Sequence, residues 1–163
     1  MPNKCASPTG HHELTTHANG SGDEAGGLIP VCCAPSTEEK KFIMEVFQLL
    51  NEHRQSKGRA PLVYDEKLES AIEGHCHHMA AHPFFDHNAP ENAVGDPWTR
   101  AEACGTTASG ENIAVGQQSP QEVMDSWRWS PGHNANMLGN FTRVGIGFYA
   151  GGEWGTYWGQ IFD

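Results

Sequence analysis

Gly110-Glu111-Asn112-Ile113-Ala114, followed one short helical stretch later by Ser130-Pro131-Gly132-His133, is the part of the chain whose reading decides the fold. A carboxylate and an imidazole stand beside glycines, between segments that read as folded core. Upstream, Phe84-Phe85-Asp86-His87 supplies a second imidazole, behind two aromatics expected in the core. If folding draws His87, Glu111 and His133 into one cleft, they can hold a divalent cation or move a proton.

Working outward, Ser119-Pro120-Gln121-Glu122 predicts a helix start, with Ser119 as cap, Pro120 at the first helical position and Glu122 closing the box. Val123, Met124 and Trp127 give that helix an apolar face. Residues 143–149 alternate apolar and small residues as a strand does, Gly151-Gly152 turns the chain, and residues 154–162 read as the returning strand. Toward the N-terminus, Ser36-Thr37-Glu38-Glu39 is a capping box that opens a helix carrying Phe42, Ile43, Val46, Phe47, Leu49, Leu50 and His53 at helical spacing. Gly58 ends it. Asp65 caps a second helix whose stripe is Leu68, Ala71, Ile72, Cys76, Met79 and Ala80, and Pro83 stops it. Residues 88–109 show little pattern and are expected to be a long loop, clamped or functional. Helices with a terminal antiparallel hairpin point to an α+β architecture.

The 163 residues suit one domain, 36–163, behind a flexible tail, 1–35, rich in Gly, Ser, Thr, Pro and His. His11, His12 and His17 in that tail are read as solvated. A formal charge of -10 gives no electrostatic footprint for nucleic acid. No stretch is long and apolar enough to span a bilayer, and no signal peptide stands at Met1. The five cysteines match no zinc-ribbon spacing, so disulfides and an oxidising compartment are expected. The expected pairs are Cys76 with Cys104, and Cys5 with Cys32 or Cys33, leaving one thiol over.

The ordered set of motifs resembles the CAP superfamily of cysteine-rich secretory, antigen 5 and pathogenesis-related proteins, in its compact bacterial form, the SCP domain. It runs from Leu50-Asn51-Glu52-His53-Arg54 through Asp65-Glu66-Lys67-Leu68, Phe84-Phe85-Asp86-His87 and Gly110-Glu111-Asn112-Ile113-Ala114. It continues through Trp127, Ser130-Pro131-Gly132-His133, Asn136-Met137-Leu138 and Val144-Gly145-Ile146-Gly147 to Gln160-Ile161-Phe162. The resemblance implies an α-β-α sandwich with a small antiparallel sheet between helical layers. It also implies a cleft lined by His87, His133 and Glu111, with Ser130 where longer members carry a second acid.

The readings that follow differ in chemistry. In the first, a secreted, monomeric binding module holds a small ligand, an extracellular protein or a lipid, with His87, Glu111, Ser130 and His133 as the binding set. His87 and His133 would take a divalent cation, zinc included, weakly. In the second, a metal-assisted hydrolase uses Glu111 as general base with His133. In the third, the cleft residues only tie the long loop down. No nucleophile has an evident base partner, which favours binding over catalysis. His75, His78 and His82 share a helix face, and His78 with His82 could chelate at i, i+4. Trp127, Trp129, Trp154 and Trp158 read as core or cleft wall.

Overall fold

The computed structural model describes residues 4–6 and 29–163; the tail histidines His11, His12 and His17 lie outside them. The first long helix, α1 (Thr37–Ser56), starts where its capping box stands: Ser36 Oγ accepts from the Glu39 N–H, and the Glu39 carboxylate accepts from the Ser36 N–H. Its apolar stripe, Ile43, Val46 and Leu50, is fully buried. The second, α2 (Glu66–Ala81), is capped by Asp65, whose carboxylate accepts from the Lys67 and Leu68 N–H groups. Two short strands lie N-terminal to these helices, β1 (Lys4–Ala6) and β2 (Cys32–Ala34), paired antiparallel.

Four strands form the central sheet: β3 (Val63–Tyr64), β4 (Gly110–Val115), β5 (Arg143–Ala150) and β6 (Thr156–Phe162), in the order β3-β5-β6-β4. The expected hairpin is β5–β6, with Val144 opposite Phe162 and Ala150 opposite Thr156. The sheet is mixed rather than purely antiparallel, because β3 runs parallel to β5. Alternation along the strands separates the two cores. Val144, Ile146, Phe148, Trp158 and Phe162 face α1 and the helix α4 (Pro120–Trp129). Tyr157 and Ile161 face α2, together with Leu68, Ile72, Cys76 and Met79. Helices on both faces make this the α-β-α sandwich of an α+β domain.

Two glycines record how closely the layers approach. A Cβ at Gly145 on β5 would lie 2.1 Å from the Glu69 backbone nitrogen, so α2 crosses β5 backbone against backbone. A Cβ at Gly74 would lie 1.8 Å from the Val31 carbonyl oxygen, so the segment before α1 rests directly on α2. Val31 and Cys33 in that segment are buried.

Three expectations are corrected. Residues 88–109 are not irregular throughout: a 3-10 turn at Asn92–Val94 precedes a helix, α3 (Pro97–Ala103). Its start is the same device as at Ser119-Pro120, with Pro97 in the first turn and the Asp96 carboxylate accepting from the Thr99 N–H at 2.7 Å. The disulfides are Cys5–Cys33 and Cys32–Cys104, and Cys76 is the free thiol. Cys76 faces the sheet in the α2 core, whereas Cys104, at the end of α3, packs with Val31 and Cys32. Neighbouring residues on a strand point to opposite sides, which is how Cys32 and Cys33 reach different partners. A cysteine clamp on the long stretch does exist, with Cys104 tied to the N-terminal segment instead of to α2. Finally, Trp127 and Trp158 are core, but Trp129 is 84 % exposed and Trp154 and Phe85 also reach solvent.

Candidate functional site

β4 is the edge strand that carries the site. Glu111 pairs with Ile161 and shares its face, toward α2; Asn112 pairs with Gln160 on the opposite face. The Asn112 amide donates to the Gln160 side-chain oxygen at 3.1 Å and to the His133 carbonyl at 3.0 Å. Asn136 donates to the Asn112 side-chain oxygen at 3.0 Å and to the Glu111 carbonyl at 3.1 Å. These amides dock a short helix, α5 (Pro131–Met137), against β4 and bring His133 beside the strand that carries Glu111. From the other side, His53 on α1 meets the Asn134 side-chain oxygen at 2.7 Å. Arg54 donates to the Met137 and Gly139 carbonyls, closing the end of α5.

His87 comes from the turn after α2. The Asp86 carboxylate accepts from the Asn88 N–H at 2.8 Å, and the Asp86 carbonyl takes a hydrogen bond from His75 Nε2 at 2.9 Å. A carbonyl only accepts, so Nε2 carries the His75 proton. His75 is fully buried, no hydrogen bond reaches its Nδ1 among the described residues, and burial pushes its pKa down to about 4. It is a neutral strut under the His87 turn.

Glu111 is the electrostatic centre. One carboxylate oxygen lies 2.8 Å from His87 Nδ1, and the other accepts from Arg100 Nη2 at 2.7 Å. The Glu111 and Arg100 side chains are each 2 % exposed. Burial by itself pushes the Glu111 carboxyl up. The His87 hydrogen bond and the Arg100 cation outweigh that and hold it below the ordinary carboxylate range. The hydrogen bond that His87 donates to Glu111 raises the pKa of His87 against burial. The His87 side chain is 48 % exposed, so one edge of the ring is bound and the other faces solvent.

His133 Nδ1 lies 2.8 Å from Ser130 Oγ. Burial first, and then the charge of His87, lower its pKa, which favours the neutral ring. Asn112, which bonds the His133 carbonyl, is the neighbour on β4 of Glu111, the partner of His87, so one strand anchors both histidines. In each ring Nδ1 is engaged, and among the described residues no hydrogen bond reaches either Nε2.

The four expected residues therefore form two hydrogen-bonded pairs, His87–Glu111 and Ser130–His133. His87, Glu111 and His133 do not converge as three donors. Among the described residues, the triads whose donor atoms all lie within 4.8 Å of one another are Cys5, Cys33, His77 and Glu39, Glu73, His77. The Glu111 oxygens are already committed, so its place is beneath His87, as the group that orients the ring. Sequence reasoning missed Arg100, whose partner is eleven residues away on another element; no spacing rule links a helix arginine to a strand acid. His78 Nε2 lies 3.0 Å from the Glu91 carboxylate, and the His78 and His82 rings are 5.2 Å apart.

Comparison with known proteins bears on the family and the fold. The model of the cysteine-rich secretory protein (CAP) family matches residues 47–162. The uncharacterized protein YkwD of Bacillus subtilis is 38 % identical over 144 residues, covering 79 % of this chain and 54 % of that protein. The chain thus spans about half the length of that relative. An extracellular protein containing an SCP domain from Bacillus anthracis superposes with a TM-score of 0.70 at 25 % identity, covering 79 % of this chain and 44 % of the other. An outer surface protein from Borrelia burgdorferi gives a TM-score of 0.67 at 16 % identity, covering 79 % and 94 %, a likeness of fold.

Proposed function

The chain belongs to the cysteine-rich secretory protein family, and on that premise we propose that it is an extracellular binding module. Its cleft takes a divalent cation, or a small ligand held through one, on Nε2 of His87 and of His133. The observation that carries this reading is the shared state of the two rings: each Nδ1 is fixed by a hydrogen bond, and among the described residues none reaches either Nε2. Ligating histidines have this form, with an outer carboxylate or hydroxyl setting the tautomer and the ring orientation. Glu111 and Ser130 fill that outer role.

A hydrolase using Glu111 as general base fits less well. A base needs a lone pair within reach of the proton it removes. Both Glu111 oxygens are occupied, and the carboxyl is held in its weakly basic, ionised form. Two disulfides and the likeness to an extracellular SCP-domain protein of Bacillus anthracis support an oxidising, external setting. The acidic charge of -10 argues against nucleic acid as a partner. The same reading proposes a monomer that meets a small ligand, a lipid or an extracellular protein.

Isothermal titration with zinc tests it. Wild type is expected to bind in the cleft, and His87→Ala and His133→Ala are each expected to weaken that binding by at least about tenfold. Unchanged affinity in both variants would reject the proposal.

A further inference from the structure

A second group of donors lies at the other edge of the sheet, where β3 covers only the start of β5. Glu73 on α2 is 0 % exposed at its side chain. One of its oxygens accepts from the Phe148 N–H of β5 at 2.8 Å, so that N–H points away from β6 and is satisfied by the helix. The other oxygen lies 3.1 Å from Nε2 of His77, one turn further along α2. Glu39, in the first turn of α1, completes a triad whose donor atoms all lie within 4.8 Å of one another. The Tyr149 ring packs on His77 at 4.3 Å, and the His77 side chain is 10 % exposed.

We infer that Glu39, Glu73 and His77 form a binding site for a first-row divalent cation of the zinc or manganese class, tying α1 to α2 beneath the N-terminal strands. Two arguments carry it. The first is spacing. Ligand atoms about 2.0–2.2 Å from one ion lie about 3.0–3.5 Å from each other in octahedral or tetrahedral sites. The contact between Glu73 and His77 already has that length, and the Glu39 donor atom lies within 4.8 Å of both. The second is placement. Glu39 and Glu73 are both buried and come from different helices, so an ion bound by both acids and His77 would join α1 to α2 directly. One imidazole with two carboxylates suits zinc and manganese better than softer ions. Cys5 and Cys33 also lie near His77, but their sulfurs are joined to each other and offer no thiolate.

This site is independent of the cleft, and the test separates them. Zinc and manganese are titrated into the oxidised full chain carrying His87→Ala and His133→Ala, which disables the cleft. One equivalent of metal is expected to remain bound. Adding Glu39→Gln, which keeps the acceptor for the Ser36 N–H, or His77→Phe, which keeps the stacking on Tyr149, is expected to weaken that binding by more than about tenfold. X-ray absorption of the loaded cleft-disabled protein gives a readout that does not depend on further variants. One imidazole with carboxylate oxygens at about 2.0–2.2 Å is expected. Absence of metal from the cleft-disabled protein, binding indifferent to both substitutions, or a shell with sulfur or two imidazoles would overturn the inference.

Discussion

Glu111→Gln isolates the electrostatic centre of the cleft. The amide is nearly the shape of the carboxylate and still offers an oxygen, but it cannot neutralise Arg100, whose side chain is 2 % exposed. The Arg100 bonds to the Val94 and Gly95 carbonyls remain, at 3.1 and 3.3 Å, and neither carries a countercharge. Breaking a buried pair by removing one partner costs about 3–5 kcal/mol, because the other charge is stranded. In a domain of this size that is a fall in Tm of about 6–20 °C. Calorimetry and urea unfolding measure it, and the double variant with Arg100→Met is expected to recover part of the loss, since no unpaired charge is left. The same substitution removes the anion that raises the pKa of His87, so the His87 resonance in a proton NMR titration is expected to move toward the ordinary histidine value. A stability loss under about 1 kcal/mol, together with an unmoved His87 titration, would refute the picture of a desolvated pair.

Four further outcomes follow from the packing. His75 stays neutral in the fold with a pKa near 4, so the unfolded chain takes up its proton first as pH falls. Stability is expected to decline from about pH 6.5 down to about 4, by up to about 3 kcal/mol, and chemical denaturation across that range should show a shallower decline in His75→Gln. Gly145→Ala places a Cβ 2.1 Å from the Glu69 nitrogen and is expected to destabilise by about 3 kcal/mol or more, read from the urea midpoint; a neutral result would mean that α2 can lift off β5. Replacing Cys32 and Cys104 by serine opens a loop of 72 residues, with an expected loss of about 4 kcal/mol by the chain-entropy account. Cys76, buried with its thiol pushed up, is expected to resist alkylation until the chain unfolds.

The parts of this molecule legible in the sequence are those specified within a few residues. The Ser36, Asp65 and Ser119 caps each act on N–H groups two or three positions away, and the β5–β6 hairpin is written in its alternation and its Gly151-Gly152 turn. The Asp96-Pro97 start of α3 obeyed the same rule but stood among glycines and prolines that read as loop. Contacts set by the packing of distant elements were not legible. Five cysteines allow many pairings, and only the placement of Val31 on α2 decides that Cys104 meets Cys32 and not Cys76. His87, Glu111, Ser130 and His133 could be listed in advance because motif order carries them. That Glu111 would face Arg100, and so stand behind His87 instead of beside it, depends on how α3 folds back over β4. The Glu39–Glu73–His77 group was equally hidden: Glu39 reads as a cap, and nothing local joins it to α2.

The central claim is that the open nitrogens of His87 and His133 share one cation while Glu111 stays behind the ring. A zinc-loaded crystal, measured on both sides of the zinc absorption edge, tests this most directly. The account predicts an anomalous peak in the cleft about 2.0–2.1 Å from Nε2 of both rings, with the Glu111 carboxylate still bonded to Arg100. A cleft with no peak, or a peak bound directly by Glu111 with His87 turned away, would contradict it.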